Sequence, residues 1–540
     1  MITNIYMITA IAVVGGTLFG FDLSSMSAII GTNQYKCYFN HGPHGQPFDD
    51  SPNCSGPTTL AQGGITASMP GGSFIGSVAS GFISDQFGRR TSLQIGCVIW
   101  LLGSAVSCAA QNIPMLVVGR FINGLSVGIC SAQGPVFIAE LSTPARRGLV
   151  VGTQQWAITW GILIMFYLSY GCSFLDGTRA FRFPWGLQAI PGLLLFAALF
   201  FVPESPRWLA YKDRWEDCHQ VLTMVHAKGD LNHPFVELEL QELKEACEFD
   251  RNSADHSVFE LFQGKMLWRA HIGIFTQIWS QLSGINVIMY YITYVFAMAG
   301  LSGNANLVAS SISYVINMVT TIIALFYVDK FGRRWLLLTG SASLALWWFV
   351  CGGVMGVYGS PAPPGGVDNI PAVSWQIYGA PSKAIIASSY LIVASFAPTW
   401  GPVSWIYPPE LFPLRLRGKA VAISTSANWI FNFALSFLVP ICLENLKWKT
   451  YILFGTFCAA MGLHVFFCFP ETAGKTLEEI DSVFESRTPP WRTHVQSQTP
   501  VASNKLEDIE KNVSPDTKDS MRPEIVSQIE DVNSNSQQTD

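Results

Sequence analysis

The stretch GFISDQFGRR, residues 81–90, recurs in altered form as VDKFGRR, residues 328–334, and both contain the pattern D-x-F-G-R-R. A second pair of matching stretches begins at Glu140 and at Glu410, and each ends in arginines beside a glycine. Each copy follows a long apolar segment at the same place in a set of six such segments. The chain is therefore predicted to consist of two halves that repeat one architecture.

Twelve apolar segments are long enough to cross a membrane as helices, each of which needs about 20 residues. An ordinary soluble domain has about 25% charged residues, whereas this chain has 13% charged and 49% hydrophobic residues. The sequence thus predicts an all-α membrane protein with twelve transmembrane helices in two pseudo-symmetric six-helix halves. The predicted spans are 6–30, 62–83, 91–111, 114–139, 150–171, 184–202, 269–297, 305–328, 335–357, 383–408, 418–438 and 449–469.

Lysine and arginine in the short loops predict the orientation, because cytoplasmic loops carry an excess of these residues. The loops after spans 2, 4, 8 and 10 are the basic ones, so both termini are predicted to be cytoplasmic. The chain then divides into a first bundle, 1–202, a central cytoplasmic loop with short helices, 203–268, and a second bundle, 269–469. The remainder, 470–540, has the composition of a mostly disordered cytoplasmic tail.

The polar loop 31–61 is predicted to be extracellular. It contains Cys37 and Cys54, which are either bridged or free, and the sequon Asn53-Cys54-Ser55 predicts glycosylation at Asn53. A second sequon, at Asn512, lies in the predicted cytoplasmic tail and is not expected to be modified. The chain has no CxxC pair, so no metal site is predicted.

Motifs that follow one another in a fixed order resemble the sugar porter family of the major facilitator superfamily. Residues 20–27 and 154–161 look like the corresponding stretches of fungal high-affinity hexose transporters. One departure is Ala473, where the family usually has lysine. Besides the D-x-F-G-R-R stretches, the motifs are QLSGIN at 281–286 in span 7, PESPRWL at 203–209 after span 6 and PETAGKTLEE at 470–479 after span 12.

A sugar presents hydroxyl groups and an apolar C–H face, so its site needs amides, which both donate and accept, and an aromatic wall. A single amide within a span can instead serve only to join helices. Gln277 is four residues before Gln281 and shares a helix face with it, so it is also a candidate sugar-binding residue. One departure from the family is Ser280, at a position where the family commonly has glutamine. The resemblance implies that the sugar-binding positions are matched by Gln155, Gln281, Asn286, Asn317, Asn428 and the stacking Trp405.

Asp22 and Arg120 are predicted to lie inside spans 1 and 4, where a charge costs at least ~3 kcal/mol. Each needs a partner, and the other is the obvious one. The pair is either a static structural ion pair or, as the resemblance implies, a proton-coupling site. In the second case, protonation of Asp22 weakens its hold on Arg120 and lets helices 1 and 4 shift.

Charged residues recur at the predicted cytoplasmic helix ends, and the resemblance implies that they form latches that stabilise an outward-open state. The preference for positive charge inside explains the arginines but not the acids at matched positions. In span 7, Tyr290 and Tyr291 are predicted to be either an extracellular gate or an interfacial aromatic belt. The latch residues are Asp85, Arg89, Arg90, Glu140 and Arg147 in the first half, and Asp329, Arg333, Arg334, Glu410 and Arg417 in the second.

Taken together, the sequence predicts a monomeric, proton-coupled monosaccharide importer of the plasma membrane that works by alternating access. Glucose is the expected substrate by resemblance. A facilitator without proton coupling is disfavoured by Asp22, and a non-transporting glucose sensor by the short tail. Neither an enzyme nor an ATP-driven pump is expected, because no catalytic constellation or phosphate loop occurs. No cofactor is predicted, and a net charge of −5 argues against nucleic acid as a partner.

Overall fold

The chain folds almost entirely into helices. The computed structural model describes residues 4–39, 56–142, 147–227, 258–363, 372–473 and 489–493. It also describes the short pieces 229–230, 236–237, 239–241, 243–244, 247–248, 366–367, 370, 475, 480 and 483–484. Its α-helices are α1 Ile5–Ala12, α2 Val14–Ile29, α3 Asn33–Phe39, α4 Thr59–Phe87, α5 Arg89–Cys108, α6 Ile113–Leu141, α7 Arg147–Cys172, α8 Arg179–Leu187, α9 Ala189–Leu199, α10 Pro206–Tyr211, α11 Trp215–His226, α12 Gly264–Leu282, α13 Ile285–Met298, α14 Gly303–Phe331, α15 Arg333–Tyr358, α16 Ala380–Phe396, α17 Trp400–Leu411, α18 Leu414–Asn445 and α19 Lys449–Cys468.

These helices form twelve membrane-crossing units, as the sequence predicts. Spans 1, 6, 7 and 10 each consist of two consecutive helices, namely α1–α2, α8–α9, α12–α13 and α16–α17. Ten units are long and apolar enough to cross a membrane by length and composition alone. The other two are span 2, which is rich in glycine and serine, and span 7, which is interrupted. Several ends differ from the predicted ones by a few residues; span 6, for example, begins at Arg179 rather than at 184.

Span 7 is interrupted at Gly284, which separates α12 from α13. Gly284 has a φ of 80°, in the left-handed region that favours glycine. A Cβ there would also lie 2.8 Å from the ring of Phe454 and 2.9 Å from that of Trp348. Both the backbone and the packing therefore require glycine, and the break sets the direction in which the first residues of α13 point.

Spans 2 and 4 approach each other closely through small residues. A Cβ on Gly72 would fall on the carbonyl oxygen of Phe121, and one on Gly124 would fall on the carbonyl oxygen of Met69. Such small-residue interfaces are how membrane helices gain van der Waals contact where no hydrophobic driving force joins them. Span 4, which carries Arg120, is held in place by this contact.

The two halves meet along several helices. Span 2 packs against span 11, and span 5 packs against spans 8 and 10. Hydrogen bonds cross the boundary between Ser77 and Ser426, at 3.0 Å, and between Ser27 and Tyr314, at 2.6 Å. Between spans 9 and 10, a short hairpin pairs β1 Ser360–Pro361 with β2 Trp375–Gln376 in antiparallel register.

Candidate binding site and charged clusters within the bundle

Three of the predicted sugar-binding amides form one hydrogen-bonded chain. Gln281 Nε2 donates to Asn428 Oδ1 over 2.5 Å, and Asn286 Nδ2 donates to Gln281 Oε1. All three side chains are buried. The break at Gly284 allows Asn286, from α13, to reach back to Gln281 at the end of α12. Spans 7 and 11 thus bring together amides that satisfy one another and can exchange these bonds for bonds to hydroxyl groups.

Gln155 and Trp405 join the two halves. The indole Nε1 of Trp405, in span 10, donates to Oε1 of Gln155, in span 5, over 3.0 Å. Both residues are buried, and the amide nitrogen of Gln155 lies close to Gly401. Their hydrogen bond can form only while spans 5 and 10 are in contact, so this pair reports on closure around the candidate site.

Two other predicted site residues are bonded elsewhere. Gln277 Nε2 donates to the carbonyl oxygen of Ser404 over 2.7 Å, which leaves only its Oε1 without a hydrogen-bond partner among the described residues. Asn317, in span 8, has Nδ2 3.8 Å from the sulfur of Met289. Both residues are buried, but neither is hydrogen-bonded to the chain of three amides.

The structure adds an aromatic contact that the sequence does not single out. Phe19 of span 1 and Trp429 of span 11 meet edge to face, with ring centroids 5.0 Å apart. The indole of Trp429 donates to Ser131 Oγ of span 4 over 3.1 Å. Trp429 lies one residue after Asn428, and this proximity is the only signal in the sequence, because aromatic residues are common in membrane spans.

Asp22 and Arg120 form the predicted ion pair. Arg120 Nη2 lies 3.0 Å from Asp22 Oδ2, and each side chain is only 1% exposed. The guanidinium Nε also donates to the carbonyl oxygen of Ile65 in span 2, over 3.0 Å. The described residues provide Asp22 with no second cation, so Arg120 is its one charged partner among them.

Tyr290 and Tyr291 are buried in the bundle rather than placed at a lipid-facing surface. Tyr291 is 0% exposed, and its hydroxyl donates to the carbonyl oxygen of Ser436 over 2.7 Å. Tyr290 is 1% exposed and faces both Asp22 and Arg120. This burial does not fit an interfacial belt, and it brings span 7 of the second half against the ion pair of the first.

Arg89 is the centre of the first charged cluster. Its Nε and Nη2 donate to the two oxygens of Glu140 over 3.1 and 3.2 Å, and Asp85 lies 3.8 Å away. Ser205, in the PESPRWL motif, donates to Glu140 over 2.5 Å. The motif after span 6 therefore completes a cluster that the D-x-F-G-R-R stretch begins.

The second half repeats this cluster around Arg333. Arg333 contacts the two oxygens of Glu410 over 2.7 and 3.2 Å, and Asp329 lies 2.9 Å away. Thr472, in the PETAGKTLEE motif, donates to Glu410 over 2.7 Å. The correspondence between Ser205 and Thr472 explains why the two motifs share proline, glutamate and a hydroxyl residue.

The glutamate of each motif binds the start of a helix. Glu204 accepts the backbone N–H groups of Arg89 and Arg90 over 2.9 and 3.1 Å, and Glu471 does the same at residues 333 and 334. Negative charge is favourable at a helix N-terminus. Burial nevertheless raises the pKa of Glu204, so its backbone donors do not fully offset its removal from water.

Next to the clusters around Arg89 and Arg333, the two halves contact each other through other groups. Lys419 of span 11 lies 3.9 Å from Asp85, and Asp329 faces the backbone N–H of Leu149 at the start of span 5. Lys419 is absent from the predicted latch. The arginine–glutamate pairs thus lie within one half each, whereas the two aspartates reach across.

Three of the four other predicted latch arginines donate to backbone carbonyl groups. Arg147 begins α7, but its side chain lies outside the described residues. Arg90 donates to the carbonyl oxygen of Val202, Arg334 to those of Phe466 and Phe469, and Arg417 to that of Phe412.

The predicted extracellular loop is only partly described. Cys37, in α3, is disulfide-bonded and buried. Cys54 and the sequon at Asn53 lie outside the described residues, as does Asn512. Glycosylation at Asn53 therefore stays a prediction.

Comparison with known proteins identifies the family to which the chain belongs. Residues 8–484 match the model of the family described as sugar (and other) transporter. The chain is 48% identical over 493 residues to a high-affinity glucose transporter of Kluyveromyces lactis, covering 91% of this chain and 87% of that protein. It is 45% identical over 505 residues to high-affinity glucose transporter 1 of Candida albicans, covering 93% and 90%.

The fold is similar to a solved structure of the proton:xylose symporter XylE bound to 6-bromo-6-deoxy-D-glucose. The TM-score is 0.75 at 29% identity, and the match covers 89% of this chain and 99% of that one. These relatives and structural neighbours are transporters and not enzymes. The predicted family and twelve-helix fold are confirmed, and the chain belongs to the sugar transporter family of the major facilitator superfamily.

Proposed function

We propose that this chain imports glucose together with a proton across the plasma membrane by alternating access. The observation that supports proton coupling is the ion pair Asp22–Arg120. It is almost fully buried, with Arg120 Nη2 3.0 Å from Asp22 Oδ2. The named relatives support glucose as the sugar, and the structural neighbour named a proton:xylose symporter supports the coupling ion.

The ion pair links protonation to helix position. While Asp22 is ionised, it holds Arg120 and so ties span 1 to span 4. A proton on Asp22 removes this attraction and leaves Arg120 buried with only the carbonyl oxygen of Ile65 as a hydrogen-bond acceptor among the described residues. An uncompensated buried charge is costly, so protonation favours an arrangement in which Arg120 has moved.

The sugar site of this proposal is formed by the amides at the centre of the bundle and by Trp405. Binding of a sugar exchanges the bonds among Gln281, Asn286 and Asn428 for bonds to hydroxyl groups. Tyr290 and Tyr291 close the extracellular end, and the clusters around Arg89 and Arg333 close the cytoplasmic end.

The energy of one proton suffices for accumulation. Moving one positive charge inward down ~100 mV releases ~2.3 kcal/mol, which corresponds to about a 50-fold sugar gradient when each sugar enters with one proton. A facilitator has no such source of energy and cannot concentrate sugar.

Uptake by an Asp22→Asn variant tests the proposal. Asparagine keeps the size of the side chain but cannot carry the proton. In cells without other hexose transporters, this variant should lose accumulation of radiolabelled glucose and the sensitivity of uptake to an uncoupler, while downhill exchange of sugar persists. Accumulation that survives in Asp22→Asn, together with sugar-driven proton entry, would show that the ion pair is structural.

A glucose sensor is the second candidate. The chain is 31% identical to the high glucose sensor RGT2 of Saccharomyces cerevisiae, but it spans only 59% of that protein. The same uptake assay decides between the two, because a sensor binds sugar without net transport.

A further inference from the structure

Asn123 lies beside the ion pair and has unused hydrogen-bonding capacity. It is 0% exposed, and neither of its amide atoms has a hydrogen-bond partner of good geometry among the described residues. Its side chain faces the Asp22 carboxylate, and it stands three residues after Arg120, on the same face of span 4. Buried amides are normally satisfied, so this exception calls for an explanation.

Span 3 keeps Asn123 in this position. A Cβ on Gly103 would fall on Asn123 Oδ1, so the asparagine side chain fills the space that this glycine leaves open. With span 3 on one side and Asp22 on the other, the amide has little freedom to turn away from the carboxylate.

The amide differs from Arg120 because it donates without carrying a charge. Since Asn123 Oδ1 is the atom that lies against Gly103, the amide nitrogen is the group that can face Asp22. Its N–H can donate to ionised Asp22 and, more weakly, to the C=O oxygen of protonated Asp22.

We infer that Asn123 is a positioning residue of the proton site, which holds the Asp22 carboxyl group in both protonation states and sets the pH range of coupled uptake. This inference rests on the proposed function. Hydrogen bonds to an ionised group are about twice as strong as those between neutral groups, so the amide favours ionised Asp22 over protonated Asp22.

The other ionisable groups that face the pair belong to three helices. Arg120 comes from span 4, and Tyr290 faces both charges from span 7. Tyr291, also in span 7, and Tyr35, in α3, face Arg120. Tyr35 already donates to Gln62 over 3.1 Å. Of the groups around Asp22, Asn123 is thus the amide that can be removed without removing a charge or an ionisable group.

The test is the dependence of glucose-driven proton uptake on external pH. Asn123→Leu keeps the branched shape of the side chain, with larger methyl groups, but has no polar atom. Ionised Asp22 then loses a donor, and the midpoint of the pH profile should move upward by roughly one pH unit. Asn123→Thr retains a hydroxyl group that donates and accepts, and its midpoint should fall between those of the original chain and Asn123→Leu.

Gln154→Met is the matched control. Gln154 is also 0% exposed, with both amide atoms unpartnered among the described residues, but it packs against Gly16 and Gly134. Its replacement should leave the pH midpoint in place. An equal shift in Gln154→Met would overturn the inference, because any loss of a buried amide would then suffice.

The Asp22→Asn variant separates the two possible failures. Coupling that survives in Asp22→Asn refutes the proposed function and this inference with it. Coupling lost in Asp22→Asn, combined with an unchanged midpoint in Asn123→Leu, refutes the inference alone. If Asn123→Leu does not reach the membrane, an unchanged midpoint in Asn123→Thr refutes it instead.

Discussion

Replacement of Gln281 by alanine tests the candidate sugar site most directly. Gln281 is the middle member of the amide chain, donating to Asn428 and accepting from Asn286. Loss of a buried hydrogen-bond partner costs about 1–3 kcal/mol, which would weaken binding by about 5- to 150-fold. The lower part of this range is expected, because sugar must first displace the two amide bonds. We therefore predict a roughly tenfold increase in the KM for glucose.

The assay is initial-rate uptake of radiolabelled glucose in cells without other hexose transporters, corrected for the amount of protein at the cell surface. Gln133→Leu is the control, because Gln133 is equally buried but donates to Ser80, in the first half. Its KM should stay within twofold of the original. If Gln281→Ala retained the original KM at normal surface level, or if Gln133→Leu lost as much affinity, the amide chain would not be the sugar site.

Two further predictions concern the charged clusters. Glu140→Gln keeps the size of the side chain but weakens its paired contacts with Arg89. Turnover should fall several-fold while sugar affinity measured from outside stays near normal; a collapse of that affinity would contradict a role in closure. Lys419→Met removes the 3.9 Å contact with Asp85 between the halves. Because partly exposed ion pairs contribute only about 0.2–1 kcal/mol, cysteine labelling at the predicted cytoplasmic face should rise less than fivefold. Labelling that does not rise at all would show that this contact does not help to close that face.

The sequence predicts the fold well, because repeated motifs and apolar length are properties of the chain alone. Two spans, 2 and 7, do not meet the criteria of length and apolar composition by themselves. Span 2 is rich in glycine and serine, since it packs closely against span 4, and span 7 is broken at Gly284. The division of the chain at 202 and 269 stays a prediction.

The candidate site was predictable by residue type but not by partner. The amides were expected, yet nothing in the sequence indicates that Gln281 joins Asn286 and Asn428 while Gln277 is bonded to Ser404. These partners depend on the break in span 7 and on how spans 7, 10 and 11 pack.

Asn123 and Lys419 were missed for different reasons. Asn123 is one amide in a span without a motif, and its spacing of three residues from Arg120 was the available signal. In the sequence, Lys419 is one of several basic residues in a predicted cytoplasmic loop. Its contact with Asp85 exists only because span 11 packs on span 2.

The two halves repeat the charged clusters but not the interior. The ion pair Asp22–Arg120 belongs to the first half, whereas the amide chain belongs to the second. If the proposed function holds, proton and sugar bind mainly to different halves, and their coupling must pass through contacts between them. Span 7 makes both kinds of contact, because Gln281 lies in the last turn of its first helix and Tyr290, in its second helix, faces the ion pair. The break at Gly284 lies between these two residues, so movement of the second helix can respond to both ligands.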